Sequence, residues 1–331
     1  MLSVAVVGLG WWGRTIIGLL EKSTRLRVVR AVEPDASAAA FARERGIACS
    51  NNLESALADP GVKGVVLCTP HSQHAAQVVR AAQAGRHVFC EKPLALRRAD
   101  ALRALAAVEA AGVTLGVGHE RRFEPGIVEL RRLIAAGEIG RPLQVEANFS
   151  QDKFLAMPAE NWRLTAAEAP AGPLTATGVH LVDLSVAIMG QPERAFASVK
   201  QLGSHLVNGD TLGAMLGFRD GGNALLSAIL ATPFDGRFAV YGSKGWIEVR
   251  DKAHPESPEG WVFTLCRRGA ARVQRDIPPA SPVLDNLEAF AEAALGGRPY
   301  PMPREEMLAT VSALEAIVRS AASGRVEPVE G

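Results

Sequence analysis

The six residues after the initiator, Leu2–Val7, form an apolar, β-prone run that leads directly into Gly8-Leu9-Gly10-Trp11-Trp12-Gly13. A G-x-G-x-x-G after a first strand and at the opening of a helix constrains this chain more than any other feature. It turns backbone amides and a helix N-terminus toward a dinucleotide pyrophosphate, the arrangement of a Rossmann unit. Gly8 suits the tight turn, Gly10 lets phosphate approach where a Cβ would clash, and Gly13 lets the helix lie close on the strand. Trp12, in the same first turn, is counted with them as a cofactor contact. Leu26–Val32 reads as a second strand that ends in Glu33, 33 − 10 = 23 residues beyond the central glycine. A carboxylate for the ribose hydroxyls is expected roughly 20 residues on. Its charge repels a 2′-phosphate, which favours NAD; an arginine such as Arg14 keeps NADP open.

Strand-like and helix-like stretches alternate through the first third, with apolar runs near 2–8, 26–32, 63–68, 86–90 and 113–117. That alternation predicts an α/β Rossmann domain with a doubly wound parallel sheet over residues 1–120. From about Arg122 the pattern changes to alternating runs separated by turns such as Asp220-Gly221-Gly222, with helix-like stretches at 125–136, 282–295 and 304–323. Residues 121–331 therefore read as an α+β domain with a large, mostly antiparallel open sheet. A length of 331 residues favours two domains. Net charge is +1, with no basic run, so neither nucleic acid nor an anionic membrane surface is an expected partner. Cys49, Cys68, Cys90 and Cys266 show no C-x-x-C spacing and read as reduced packing residues of a cytoplasmic protein. No apolar stretch reaches the length of a membrane span, and the N-terminal run lacks the flanks of a signal peptide.

Two segments at predicted strand ends carry chemistry. Cys68-Thr69-Pro70-His71-Ser72-Gln73-His74 lies where ligands bind in open α/β sheets, with Pro70 shaping a wall for the cofactor. His71 and His74 lack a third ligand, so no metal is expected. The fifth strand ends in Glu91-Lys92-Pro93-Leu94. An amine placed there, near an oxidised nicotinamide and partly desolvated, becomes basic at neutral pH only through a lowered pKa, and Lys92 could then take a substrate hydroxyl proton.

The glycine fingerprint, Thr69-Pro70 with His74, and Ala84-Gly85-x-His87-Val88 leading into Glu91-Lys92-Pro93 together resemble the glucose-fructose oxidoreductase and inositol dehydrogenase family, Gfo/Idh/MocA. Gly118-His119 through Arg122-Phe123-x-Pro125 and Tyr241-Gly242-Ser243-Lys244-Gly245 extend the resemblance over nearly the whole chain. It implies an NAD(P)-dependent dehydrogenase or reductase of a sugar, cyclitol or related hydroxylated ring, with Lys92 touching both substrate and cofactor. It also implies that residues 121–331 are the substrate-binding and oligomerisation domain, forming a homodimer or homotetramer through the C-terminal sheet.

A second family motif runs from a glycine-rich segment to Asp, three residues, His, two residues, Asp. Here it reads Gly172-Pro173-Leu174-Thr175-Ala176-Thr177-Gly178-Val179-His180-Leu181-Val182-Asp183. His180 and Asp183 match, and Ala176 stands where the first Asp belongs. A methyl group neither accepts a proton nor orients a hydroxyl. Three outcomes stay open: Lys92 and His180 suffice, another segment supplies the missing group, or the protein binds NAD and a sugar without turnover, as a sensor or a redox-neutral NAD-retaining enzyme. His180 is expected to assist Lys92 as an acid or base near neutral pH. His119, Arg122, Trp162, Arg163 and Thr177 are further candidate substrate contacts.

Overall fold

The computed structural model describes residues 1–331, which divide into two compact units. The first comprises Met1–His119 and Val283–Met307. Its six strands are β1 (Leu2–Val7), β2 (Leu26–Val32), β3 (Ala48–Ser50), β4 (Gly64–Leu67), β5 (His87–Cys90) and β6 (Leu115–Val117), in the parallel order β3-β2-β1-β4-β5-β6. The order reverses at β1, the switch point beside which doubly wound sheets bind nucleotides. The connecting helices are α1 (Trp11–Leu20), α2 (Ala36–Glu44), α3 (Leu53–Leu57), α4 (His71–Gln83) and α5 (Arg98–Ala111). Local chemistry sets their starts: the side chains of Asp35 and Asn52 accept from Ala38 and Ser55 N–H at the heads of α2 and α3. Strand β4 is apolar and buried throughout, as a central parallel strand must be.

The second unit comprises Glu120–Pro282 and Leu308–Gly331. It carries α6 (Pro125–Ala135), β7 (Pro142–Ser150), α7 (Val179–Met189), β8 (Pro192–Lys200), β9 (Thr211–Phe218), β10 (Asn223–Ile229), β11 (Asp235–Gly242), β12 (Gly245–Asp251), β13 (Trp261–Arg267) and β14 (Val273–Ile277). With β15 (Glu327–Pro328) these make a nine-stranded sheet ordered β14-β13-β12-β11-β7-β10-β9-β8-β15, antiparallel except where β10 runs parallel to β7. Alternate residues from the strands, among them Val145, Leu216, Val240 and Ile247, form one core with Ile127 and Leu130 of α6, Leu181 and Leu184 of α7, and Leu314 and Ile317 of the last helix.

One segment expected with the second domain packs with the first. Leu287, Phe290 and Ala291, on α8 (Pro282–Ala294), join the core of Val4, Val6, Ile17 and Phe89, and the Phe89 and Phe290 rings meet edge to face at 5.7 Å. Asn286 Nδ2 donates to the Val117 carbonyl at 3.0 Å. The chain returns to the second unit within α9 (Arg304–Ser323).

Candidate active site

In the first unit, Gly8 has φ +90°, and a Cβ there would lie 2.8 Å from the Cys68 carbonyl oxygen. A Cβ at Gly13 would lie 1.9 Å from the Gly8 carbonyl oxygen, so the helix rests on the turn only because both residues are glycines. Gly10 differs, because a Cβ there would meet nothing within 4 Å. Nothing in the folded protein requires that glycine, which leaves open space in front of a helix head whose N-cap supplies no side-chain acceptor. A pyrophosphate fits that space and the uncapped first-turn amides. The Glu33 carboxylate closes the same turn: Oε2 accepts from Leu9 N–H at 2.6 Å and Oε1 from Asp35 N–H at 2.9 Å. The Trp12 ring packs on the core of this unit, leaving its backbone in the first turn of α1. Arg14 Nε donates to the Leu9 carbonyl at 2.9 Å, beside the same loop.

At the ends of β4 and β5, the buried His74 binds two turns together. Its Nδ1 lies 2.7 Å from the Pro93 carbonyl oxygen and its Nε2 lies 2.9 Å from that of Thr69. The Thr69 hydroxyl donates to Gln77 Oε1 at 2.6 Å, and Pro70 forms the N-cap of α4. Glu91 is buried, and its Oε2 accepts from Lys92 N–H at 3.3 Å. A Cβ on Gly118 would meet that carboxylate at 2.4 Å, so the glycine after β6 gives Glu91 its place. Lys92 is half-buried, ahead of a cis peptide bond to Pro93. His119 is buried at the end of this unit. Glycine loop, Thr69-Pro70 turn and Lys92 thus share the carboxyl edge of one parallel sheet.

In the second unit, Leu174–Gly178 forms a π-helical turn that runs straight into α7 and presents His180 in the first turn of that helix. His180 is buried, its ring centroid is 6.0 Å from that of Phe149, and its Nε2 lies 3.7 Å from Glu120 Oε1. Asp183, one helical turn on, takes Arg122 in a two-pronged pair, with Nε and Nη2 each at 2.7 Å from a carboxylate oxygen. Arg122 and Asp183 therefore clamp the turn Glu120–Phe123 to α7. Arg121 anchors the same turn on another side, donating to Glu124 and, at 2.6 Å, to Asp251, which also accepts from Trp261 Nε1. Burial opposes the charge on Arg121, and the two carboxylates overcome it and keep the residue a cation.

The remaining candidates fall in two groups. Thr177 is buried and its hydroxyl donates to the Phe149 carbonyl at 2.8 Å, so it fixes the π-turn to β7. Trp162 and Arg163 are half-buried and stacked, with the guanidinium 4.1 Å over the indole. Two contributions escaped the sequence reading. Glu120 is one; it sits inside a stretch already singled out for His119 and Arg122. The other is an aromatic wall in which Phe149 faces both Phe234 and His254. His254 Nε2 donates to Gln151 Oε1 at 2.6 Å, and its Nδ1 accepts from the Glu256 N–H at 3.2 Å. Burial, with Lys153 and Arg121 nearby, lowers the His254 pKa to about 4, in keeping with that neutral tautomer.

Residues 2–119 match an oxidoreductase family with an NAD-binding Rossmann fold, and residues 127–248 match the GFO/IDH/MocA C-terminal domain. The chain is 31% identical to the 1,5-anhydro-D-fructose reductase of Ensifer adhaerens over 298 residues, 88% of this chain and 87% of that one. The chain belongs to the GFO/IDH/MocA oxidoreductase family. As a member it is an NAD-binding oxidoreductase whose Rossmann fold spans residues 2–119, within the first unit described above. Two solved structures similar to this GFO/IDH/MocA protein follow it end to end. The aldose-aldose oxidoreductase from Caulobacter crescentus, complexed with glycerol, shares 26% identity at a TM-score of 0.86 and covers 99% of both chains. GenD2 from gentamicin A biosynthesis, in complex with NAD, shares 27% identity at a TM-score of 0.85 and covers 100% of this chain and 97% of its own. No helix is long and apolar enough to cross a membrane.

Proposed function

We propose that the protein is an NAD-dependent dehydrogenase or reductase acting on a carbinol or carbonyl carbon of a sugar, cyclitol or related hydroxylated ring. Lys92 is the primary acid/base and His180 assists. The observation that carries the reading is the placement of Lys92 on a braced turn at the same sheet edge as the glycine loop. The sugar class is supported by the relatives, one named for an anhydrofructose and one for aldoses. NAD, when bound, accepts or donates a hydride at its nicotinamide ring. The chain's own part is the proton: in oxidation a neutral Lys92 amine takes the hydroxyl proton as the carbonyl forms, and in reduction its ammonium returns one. Gly8, Gly10, Trp12, Gly13 and Glu33 hold the dinucleotide, with Thr69, Pro70 and Glu91 shaping the nicotinamide side and His74 fixing both turns. Glu33 at the glycine loop favours the ribose hydroxyls of NAD over a 2′-phosphate.

Replacing Lys92 by Ala should lower turnover at least about 100-fold. Reduced-nicotinamide absorbance is the readout, with D-xylose, myo-inositol and levoglucosan offered with NAD, and 1,5-anhydro-D-fructose with NADH. Full activity in Lys92→Ala overturns the mechanism. Ligand-induced thermal stabilisation with no turnover of any probe by the wild type favours a sugar-binding sensor. We also place the protein in the cytoplasm, a setting that suits its reduced Cys49, Cys90 and Cys266. It assembles there as a homodimer or homotetramer through the second unit's sheet.

A further inference from the structure

Position 176, where the family motif carries an aspartate, holds a methyl group packed against an apolar cluster of Leu164, Leu206 and Leu230. A carboxylate nevertheless reaches the motif histidine from a distant part of the chain. Glu120 Oε1 lies 3.7 Å from His180 Nε2, and the two side chains are only 14% and 4% exposed. This pairing is built rather than incidental. The two residues after Glu120 are both buried arginines, one clamped to Asp183 on His180's own helix and the other to Glu124 and Asp251. The turn that carries Glu120 is thereby fixed on α7, which holds the two groups in one relative geometry before any ligand arrives.

The spacing defines what the pair can hold. At 3.7 Å the two atoms are too far apart for a direct hydrogen bond, yet one oxygen atom can sit within hydrogen-bond reach of both. A hydroxyl satisfies both at once, because it donates one proton and accepts on its lone pairs. It donates to the carboxylate oxygen and accepts from the imidazole N–H. A carboxylate and a histidine gripping one hydroxyl is the arrangement that Ala176 denies to the usual motif.

We propose that Glu120 takes over the role of the absent aspartate, its carboxylate accepting a hydrogen bond from a substrate ring hydroxyl that His180 holds through Nε2. The proposal rests on the reading of the protein as a dehydrogenase or reductase of hydroxylated rings. Charged and titratable groups around His180 include Glu120 and the Arg122–Asp183 pair, with Arg121 and His254 against the Phe149 ring that His180 also faces, and with Glu124 near enough to Glu120 to feel its charge.

The test compares Glu120→Gln, which removes the charge at nearly constant shape, with Glu120→Asp, which keeps it. In substrate-free protein, His180 titrated by NMR should protonate at lower pH in Glu120→Gln than in the wild type, because a neighbouring anion favours the imidazolium. Glu120→Asp should stay near the wild-type midpoint. With whichever of the four probes the wild type turns over, Glu120→Gln should lose about 100-fold in kcat/KM, the usual scale of an acid/base contact, while NADH affinity by fluorescence is unchanged. Glu120→Asp should retain most of the activity. An unmoved His180 titration, unchanged kcat/KM in Glu120→Gln, or equal losses in both variants overturns the assignment. If Lys92→Ala is inactive while Glu120→Gln is fully active, the function stands and this proposal falls. If the wild type turns over no probe, the dehydrogenase reading falls and takes the substrate contact with it.

Discussion

Arg122 and Asp183 meet through two hydrogen bonds of 2.7 Å with almost no solvent around either side chain. Such a pair, relative to an apolar one, adds little to stability, yet breaking it by removing one partner is costly. Asp183→Asn should therefore cost about 3–5 kcal/mol, read as a drop in urea midpoint. A loss below about 1 kcal/mol would show that the guanidinium finds another acceptor. His254 adds a pH dependence whose sign is fixed by burial. Its pKa is lowered from 6.5 to about 4 in the folded chain, so between those values the unfolded state binds the extra proton. The stability it contributes is complete above pH 6.5 and is lost as the pH falls toward about 4. Unfolding midpoints across that window should fall less steeply in His254→Gln than in the wild type, and parallel curves would refute the assignment.

Within the first βα unit, the three glycines differ: a Cβ clashes at Gly8 and Gly13 and meets open space at Gly10. Gly10→Ala places a methyl in open space at φ −61°, so the fold should keep its melting temperature. On the proposed cofactor site, NADH affinity should by contrast fall at least about tenfold, because the same methyl would stand where phosphate approaches. Gly13→Ala drives a methyl to 1.9 Å from a backbone oxygen and should lower the melting temperature itself. Equal effects of the two substitutions on stability would mean that Gly10 has a packing role. The glycine turn was legible in the sequence because the strand, the turn and the helix head are contiguous, and the Lys92 turn was legible for the same reason. Glu120 beside His180 was not, since the two come from different elements and meet only once Arg122 reaches Asp183. Nor was the placement of α8 legible. Its apolar face announces a helix with a buried side, but not that Phe290 will choose Phe89 in the first unit over the sheet of the second.

At the scale of the whole molecule, the nine-stranded sheet has one face covered by α6, α7 and α9 and another that carries apolar residues outward. Phe196 on β8 is opposite Met215 on β9, and Met215 is opposite Leu225 on β10, so the three form one row across neighbouring strands. They are 43%, 37% and 42% exposed. The row continues on β7 with Glu146 opposite Leu225. A one-sided antiparallel sheet facing only water would carry polar residues along such a row. In the assembly proposed above, this apolar row with its polar rim is the surface that a second copy covers, and a net charge of +1 puts no long-range repulsion between copies. Leu225→Glu would set a second carboxylate beside Glu146 in every copy. Because an isologous interface repeats each substitution on both sides, the repulsion doubles where two such faces meet. Light scattering after size-exclusion chromatography should then give an oligomeric mass for the wild type and a monomeric mass for Leu225→Glu, with circular dichroism unchanged. A monomeric wild type, or a Leu225→Glu variant with the wild-type mass, would remove the sheet face from the assembly.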